Sequence, residues 1–447
     1  MTRRYALQTH AAFAVVILNL ILGAASAQQA DAAASAQQAD ADRINQLEQK
    51  LEQSLKVIEQ LNQRVQELEN TRSANKPAEA DSTPAPQAGR LEAVEQKVTD
   101  FVENAGKAHG DRGIPVHGFA DVGFGKASAG AGINRANGFA IGTLSFYLTP
   151  QFTDRTKALI ELAFEGDSAG GVIATDLERL QFGYTVNDAA TLWLGRFHTP
   201  FGFWNTAYHH GAQIQTSVLR PRFIDFEDKG GIVPAHMVGV LASGLIPVGK
   251  GKVVYDAYLA NGSRIVDDAL DPNITRDDNS NKALGLNLGY RFSGRLSGLQ
   301  TGGHISTQQV NSYAGGALLN RTRVNMLGGY AVYENEPWEI ISELYSFRNK
   351  DLSGGTGNHS SWAGFVQGGY GFGDWLPYAR LEKASLSKND SYFVNQASGR
   401  SYSRYALGVR YELNEYAVLK LEANRTRQPD QTDGDYNEAW FQYAIRF

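Results

Sequence analysis

Residues 179–186 read RLQFGYTV, with Leu180, Phe182, Tyr184 and Val186 alternating against Arg179, Gln181, Gly183 and Thr185. In an extended chain successive side chains point to opposite faces, so this stretch is a strand with one apolar and one polar side. The pattern recurs at 284–291, where Leu284, Leu286, Leu288 and Tyr290 oppose Gly285, Asn287, Gly289 and Arg291. It recurs again at 404–411, where Tyr405, Leu407, Val409 and Tyr411 oppose Arg404, Ala406, Gly408 and Arg410. Sixteen such runs can be read from residue 114 to 447, each roughly 8 to 12 residues, the length a tilted strand needs to cross a bilayer. They predict a 16-stranded antiparallel outer-membrane β-barrel, its apolar face toward lipid and its polar face toward water.

The connections alternate in length. Short turns near 187–189, 293–298, 334–337, 372–375 and 413–416 separate longer loops near 125–138, 198–235, 261–281, 309–322, 349–360, 386–402 and 427–436. Short periplasmic turns and long outer loops are the habit of such barrels, and Tyr333, Trp338, Tyr370, Trp375, Tyr411 and Tyr416 beside the short turns suit an interfacial girdle. A soluble sandwich or propeller would also use many short strands, but sixteen outward faces of Leu, Val and Tyr would leave it sticky. No later segment supplies eighteen consecutive apolar residues, so any span must be made of strands whose backbone is satisfied between neighbours.

The chain begins with Arg3 and Arg4, an apolar run from Ala11 to Leu22 and small residues ending at Ala27. That is a secretory signal peptide, 1–27, too short to span as a helix. The string AASAQQADA occurs twice, at 24–32 and 33–41, so cleavage after Ala36 is equally readable. From 43 to 72 heptads place Ile44, Leu51, Ile58 and Val65 at a and Leu47, Ser54, Leu61 and Leu68 at d, with Arg43–Glu48 and Arg64–Glu69 at g and e. This predicts a periplasmic α-helical coiled coil ahead of the barrel, with dimer and trimer both open because Leu55 and Val57 widen the seam. Residues 73–90 form a Pro/Ala-rich linker and 91–107 a short helix. The chain has no cysteine, which removes disulfides and thiolate sites. The net charge of −5, of which 114–447 carries −2, gives no footprint for nucleic acid.

The last strand reads NEAWFQYAIRF, with Phe441, Tyr443, Ile445 and Phe447 on one face. It resembles the C-terminal signal by which the barrel assembly machinery recognises outer-membrane proteins. Coiled coil, linker and barrel together resemble the trimeric diffusion porins with an N-terminal coiled coil, the DcaP-like group, and more distantly the phosphate-selective porin family. The segment LWLGRFHTPFGFW at 192–204, with Gly195-Arg196 and then Pro200-Phe201-Gly202, looks like that family's junction between fifth strand and loop. The resemblance implies a homotrimer in a bilayer of lipid and lipopolysaccharide that passes small hydrophilic solutes without a cofactor. Phosphate selectivity is not implied, because the ten lysines of 114–447 are dispersed.

In general porins the loop after the fifth strand folds inward and narrows the channel. Here 198–235 is nearly forty residues long, well beyond an ordinary connection. It carries Arg220, Arg222 and Lys229 beside Asp225, Glu227 and Asp228, close in sequence to Arg196. Charges of both signs at one narrow point give a transverse field. The three arginines motivate a mild preference for small anions such as carboxylates, unless they only pin the loop by pairing with its acids. The lumen wall is expected to present Lys157, Arg179, Arg291, Arg404, Arg410 and Lys420 against Glu161, Glu165, Glu343, Glu412 and Glu422.

Other motifs fail on context. GDSAG at 166–170 lacks the strand-to-helix elbow of a nucleophilic serine, and GLIPVGK at 244–250 is followed by Gly251 where a phosphate loop needs a hydroxyl. The acids of 267–278 are not spaced as a calcium hand, and adjacent His209 and His210 would point apart in a strand, so no metal is expected. Two rival functions remain: a structural tether from outer membrane to cell wall through 43–72, and a membrane-barrel enzyme, for which no serine–histidine motif is found.

Overall fold

A computed structural model describes residues 115–128, 137–166, 173–208, 210–431 and 434–447. The leader, coiled coil, linker and short helix expected from the sequence lie outside them, as does the tip of 167–172. Eighteen strands are described: β1 (Val116–Ala127), β2 (Gly138–Leu148), β3 (Thr156–Gly166), β4 (Ile173–Asn187), β5 (Ala190–His198), β6 (His236–Val248), β7 (Gly251–Asn261), β8 (Arg264–Val266), β9 (Ala269–Leu270), β10 (Lys282–Arg291), β11 (Leu299–Ala314), β12 (Ala317–Asn335), β13 (Trp338–Asp351), β14 (Asn358–Tyr370), β15 (Trp375–Ser385), β16 (Tyr402–Asn414), β17 (Ala417–Arg427) and β18 (Tyr436–Arg446). β8 and β9 form a hairpin inside one loop. The other sixteen pair antiparallel in sequence order, and β1 pairs with both β2 and β18, so the sheet closes. Closure leaves no barrel strand with an open edge.

Burial follows the alternation that the sequence displays. In β13, Ile341, Glu343, Tyr345, Phe347 and Asn349 are buried while Leu344 between them is 56% exposed. The outward rows carry Leu286, Leu327, Leu407 and Leu421, all exposed, as a lipid-facing surface requires. Beside the short turns Trp338 meets Tyr370 with ring centroids 4.8 Å apart and Trp375 meets Tyr411 at 4.4 Å.

One connection differs from the sequence reading. The loop expected at 309–322 is instead the upper part of β11 and β12, which are 16 and 19 residues long and joined by Gly315 and Gly316 alone. Both glycines have positive φ, +53° and +80°, the geometry a two-residue hairpin demands. Asn and Gly near the tip imitate loop composition, but Val310 and Val324 keep the inward phase and are buried. β8 pairs in parallel with β11 at 311–313 and braces the hairpin.

The connection 199–235 turns into the lumen. Its Phe201, Trp204, Phe223 and Ile224 pack on Val332, Ile341, Tyr345, Phe347 and Phe365, inward residues of β12 to β14. That part of the wall is apolar, where strict alternation leads one to expect polar residues. The loop brings its own apolar side chains and needs a surface to cover, each fully buried one contributing about 1.5–3 kcal/mol.

Candidate functional site

The inward loop is anchored first at Pro200-Phe201-Gly202. The Gly202 amide donates to His304 Nδ1 at 3.0 Å, and its carbonyl accepts from Asn287 Nδ2 at 3.2 Å. Gly202 has φ +64° and lies against the Glu343 carboxylate and the Tyr345 hydroxyl, where any Cβ would collide. A one-turn helix, Trp204–Ala207, follows. Its first amides point at Glu343, whose Oε1 accepts from Trp204 N at 2.6 Å and Phe203 N at 3.2 Å.

The next stretch is held from beneath by charged residues of β15 to β17. Arg380, fully buried, donates to Ser217 Oγ at 2.8 Å and pairs with Glu382 at 2.8 Å. Lys420 donates to the carbonyls of Ala212 and Ser217, and Arg410 to those of Gln213 and Gln215. Glu422 accepts from Val218 N at 2.9 Å, and Glu382 from Arg222 N at 2.7 Å. Buried charge is tolerable when it is paired and hydrogen-bonded in this way.

Opposite that packed side a cavity of about 470 Å³ remains, bordered by β1, β2 and β18. On the loop side three cations gather on Phe226. His210 stacks on its ring at 4.5 Å, the Arg220 guanidinium lies 4.3 Å from its centroid and the Lys229 ammonium 5.1 Å. Arg220 Nη2 also donates to Ile224 O at 2.9 Å and to Asn205 Oδ1 at 3.1 Å. Lys229 reaches Glu165 Oε2 at 2.9 Å, and His210 Nδ1 lies 2.9 Å from Glu161 Oε1. Asp225, Glu227 and Asp228 stand among these cations, and Asp121 and Asp268 border the cavity from elsewhere.

Protonation follows from these surroundings. Burial pushes the His210 imidazole down, but Glu178, Glu161 and Glu165 outweigh it and hold the group up at about 10, so it is a cation at neutral pH. The surrounding protein pushes the Asp228 carboxyl up to about 6; Lys229 opposes the shift, and Glu165, Glu227 and Asp225 add to it.

Of the constriction residues read from the sequence, Arg220, Asp225, Glu227, Asp228 and Lys229 border the cavity. Arg196 and Arg222 do not. Arg196 donates to the carbonyls of Glu178 at 3.1 Å and Pro272 at 2.7 Å, tying an outer loop to the wall. Arg222 is buried on the far side, over the Tyr402 ring and 3.2 Å from the Tyr436 hydroxyl. The idea that three arginines converge there is therefore corrected to one. Among the wall residues, Arg179 pairs with Glu161 at 2.6 Å, Arg404 with Glu438 at 2.8 Å and Arg291 with Gln300 at 2.8 Å, while Lys157 lies over Trp193. Glu412 pairs with Arg410 at 2.5 Å. Sequence reasoning missed Asp121, His304, Arg380 and Glu382. The last two occupy inward positions of β15 flanking outward Leu381, and that phase was available to find them.

No family model matches the chain, and no curated protein is similar to it in sequence. Its fold is shared with solved outer-membrane barrels. The outer membrane channel DcaP of Acinetobacter baumannii is 12% identical with a TM-score of 0.51, covering 75% of this chain and 97% of that one. OmpF of Salmonella typhi, solved with daunomycin, gives 13% identity and 0.50 over the same shares. The trimer form of OmpT, an outer membrane protein of Vibrio cholerae, gives 10% and 0.50, covering 75% of this chain and 99% of that one. This chain therefore has the fold of a porin, a closed sixteen-stranded outer-membrane barrel.

Proposed function

We propose that the protein is an outer-membrane porin through which small hydrophilic solutes diffuse passively. The observation that carries this reading is the inward loop, which fills one side of the barrel and leaves beside it a cavity of about 470 Å³ lined by charges of both signs. Sixteen strands enclose a lumen wide enough for an aqueous channel, whereas eight would be filled by side chains. Nothing in the mechanism calls for a bound cofactor: the loop sets size, and the field between loop and wall orients dipolar solutes.

In this reading a mild preference for small anions such as carboxylates rests on Arg220, Lys229 and His210, while Arg196 and Arg222 contribute nothing. Five acids, Asp121, Asp225, Glu227, Asp228 and Asp268, share the lining, so any selectivity is weak. Self-association as a trimer and insertion by the barrel assembly machinery through Phe441, Tyr443, Ile445 and Phe447 complete the proposal. The trimer is supported by the fold shared with a protein solved in trimer form. The assembly signal is supported by the outward exposure of Phe441, Tyr443 and Phe447. The tether reading depends on 43–72, and deleting that segment separates the two functions: lost envelope integrity with intact permeability favours the tether. The direct test is reconstitution into a planar bilayer under a salt gradient. Conductance steps in threes support a trimeric channel, and the sign of the reversal potential decides the charge preference. Absence of conductance overturns the reading.

A further inference from the structure

Where the inward loop leaves and rejoins the wall, its two ends carry histidines. His198 closes β5 and His236 opens β6, and they are direct register partners across the antiparallel pair. Glu178 belongs to β4 and lies two residues beyond that strand's last registered pair with β5, Leu180 with Arg196. Glu178, His198 and His236 come from three neighbouring strands, and each is buried, 5%, 7% and 8% exposed. Residues opposite one another in such a sheet have Cβ atoms about 4.5–5.5 Å apart, which suits chelation by imidazole and carboxylate.

We propose that Glu178, His198 and His236 bind a divalent transition-metal ion, zinc or one of similar chemistry, at the root of the loop. One ligand atom from each lies within 4.8 Å of the others. A tetrahedral zinc site sets its ligands roughly 3.3 Å apart, so side-chain rotations of up to about 1.5 Å, which part the direct contact of Glu178 with His236, complete the set. Two imidazoles and one carboxylate are a donor set that selects zinc and its neighbours over calcium or magnesium.

The surroundings favour the same ion. Glu227 Oε2 lies 3.3 Å from His236 Nδ1, and Glu227 Oε1 is fixed by the amides of Ala235 at 2.6 Å and His236 at 3.1 Å. A carboxylate behind the histidine orients the ring and raises its basicity. Within the cluster four carboxylates, Glu161, Glu165, Glu178 and Glu227, face three cations, Arg179, Lys229 and His210. A negative charge remains, so an added cation is favoured there. The bound ion would join both ends of the loop and fix its position in the lumen. This inference concerns the loop root and does not depend on what the channel passes.

The test uses the full chain without a histidine tag, purified in detergent, stripped with a chelator and dialysed against zinc in excess magnesium. One zinc per chain is expected, with at least a tenfold loss of affinity in H198A/H236A and none in H359A. Zinc uptake well below one per chain, or uptake unchanged in H198A/H236A, overturns the proposal. Should that double variant not fold, cobalt(II) added to the unaltered protein decides. Visible ligand-field bands that zinc abolishes support the site, and their absence overturns it.

Discussion

Glu343 accepts the backbone amide of Trp204 at 2.6 Å through one oxygen while its other oxygen takes the Tyr345 hydroxyl at 2.6 Å. A single wall carboxylate thus seats the loop's first turn and fixes the tyrosine beneath it. E343A leaves the buried Trp204 amide and the half-buried Phe203 amide without their acceptor, and the buried one alone is expected to cost about 1–3 kcal/mol. The measurable outcome is a lower unfolding temperature in detergent together with larger, noisier single-channel steps. Unchanged conductance would mean that the loop does not limit the passage.

W204A removes a fully buried indole from the core between loop and wall. About 3–5 kcal/mol of local stability should go with it. Protease accessibility within 199–235, mapped by fragment masses, checks whether the loop leaves the wall.

Gly202 combines left-handed backbone with close approach to Glu343 and Tyr345. G202A is expected to cost about 1–3 kcal/mol from the backbone alone, plus the collision. A conservative G202A variant with unaltered melting and conductance would remove this junction from the account of loop placement.

R380A strips a fully buried cation from Glu382 and Glu422. Uncompensated buried charge of this kind costs about 3–5 kcal/mol. The double variant R380M/E382M should recover part of the loss, and a thermal-melt cycle over the singles and the double measures the coupling.

Asp228 supplies the pH dependence. Its folded carboxyl titrates near 6, above the ordinary 3.8. A raised acid favours its neutral form, so the folded loop gains stability as pH falls through 6, and the ionised form costs stability above it. The lining also loses one negative charge over that interval. The reversal potential should shift toward anion preference between pH 7 and pH 5, and D228N should show the shifted value at both.

The strands were legible because a period of two survives in any local window, and Leu180 to Val186 or Tyr405 to Tyr411 need no distant information. The length of the inward loop was legible too. The face each of its arginines presents was not: Arg220 and Arg222 are two residues apart, yet a turn at Pro221 sends one to the cavity and the other to Tyr402 and Tyr436. Asp121 was invisible for a different reason. It reaches the cavity only because β1 closes on β18, a contact across more than three hundred residues. The pairing of His198 with His236 needs the β5–β6 register, which the loop between them hides.

Most of the hydrogen bonds that seat the loop run to β3 and to strands from β10 to β17, with Arg222 on Tyr436 at the start of β18 an exception, whereas the seam between β1 and β18 borders the open cavity. This arrangement bears on the order of assembly. A curved, still-unclosed sheet already offers the loop most of its partners, and the last strand can then zip onto the first without anything being threaded past it.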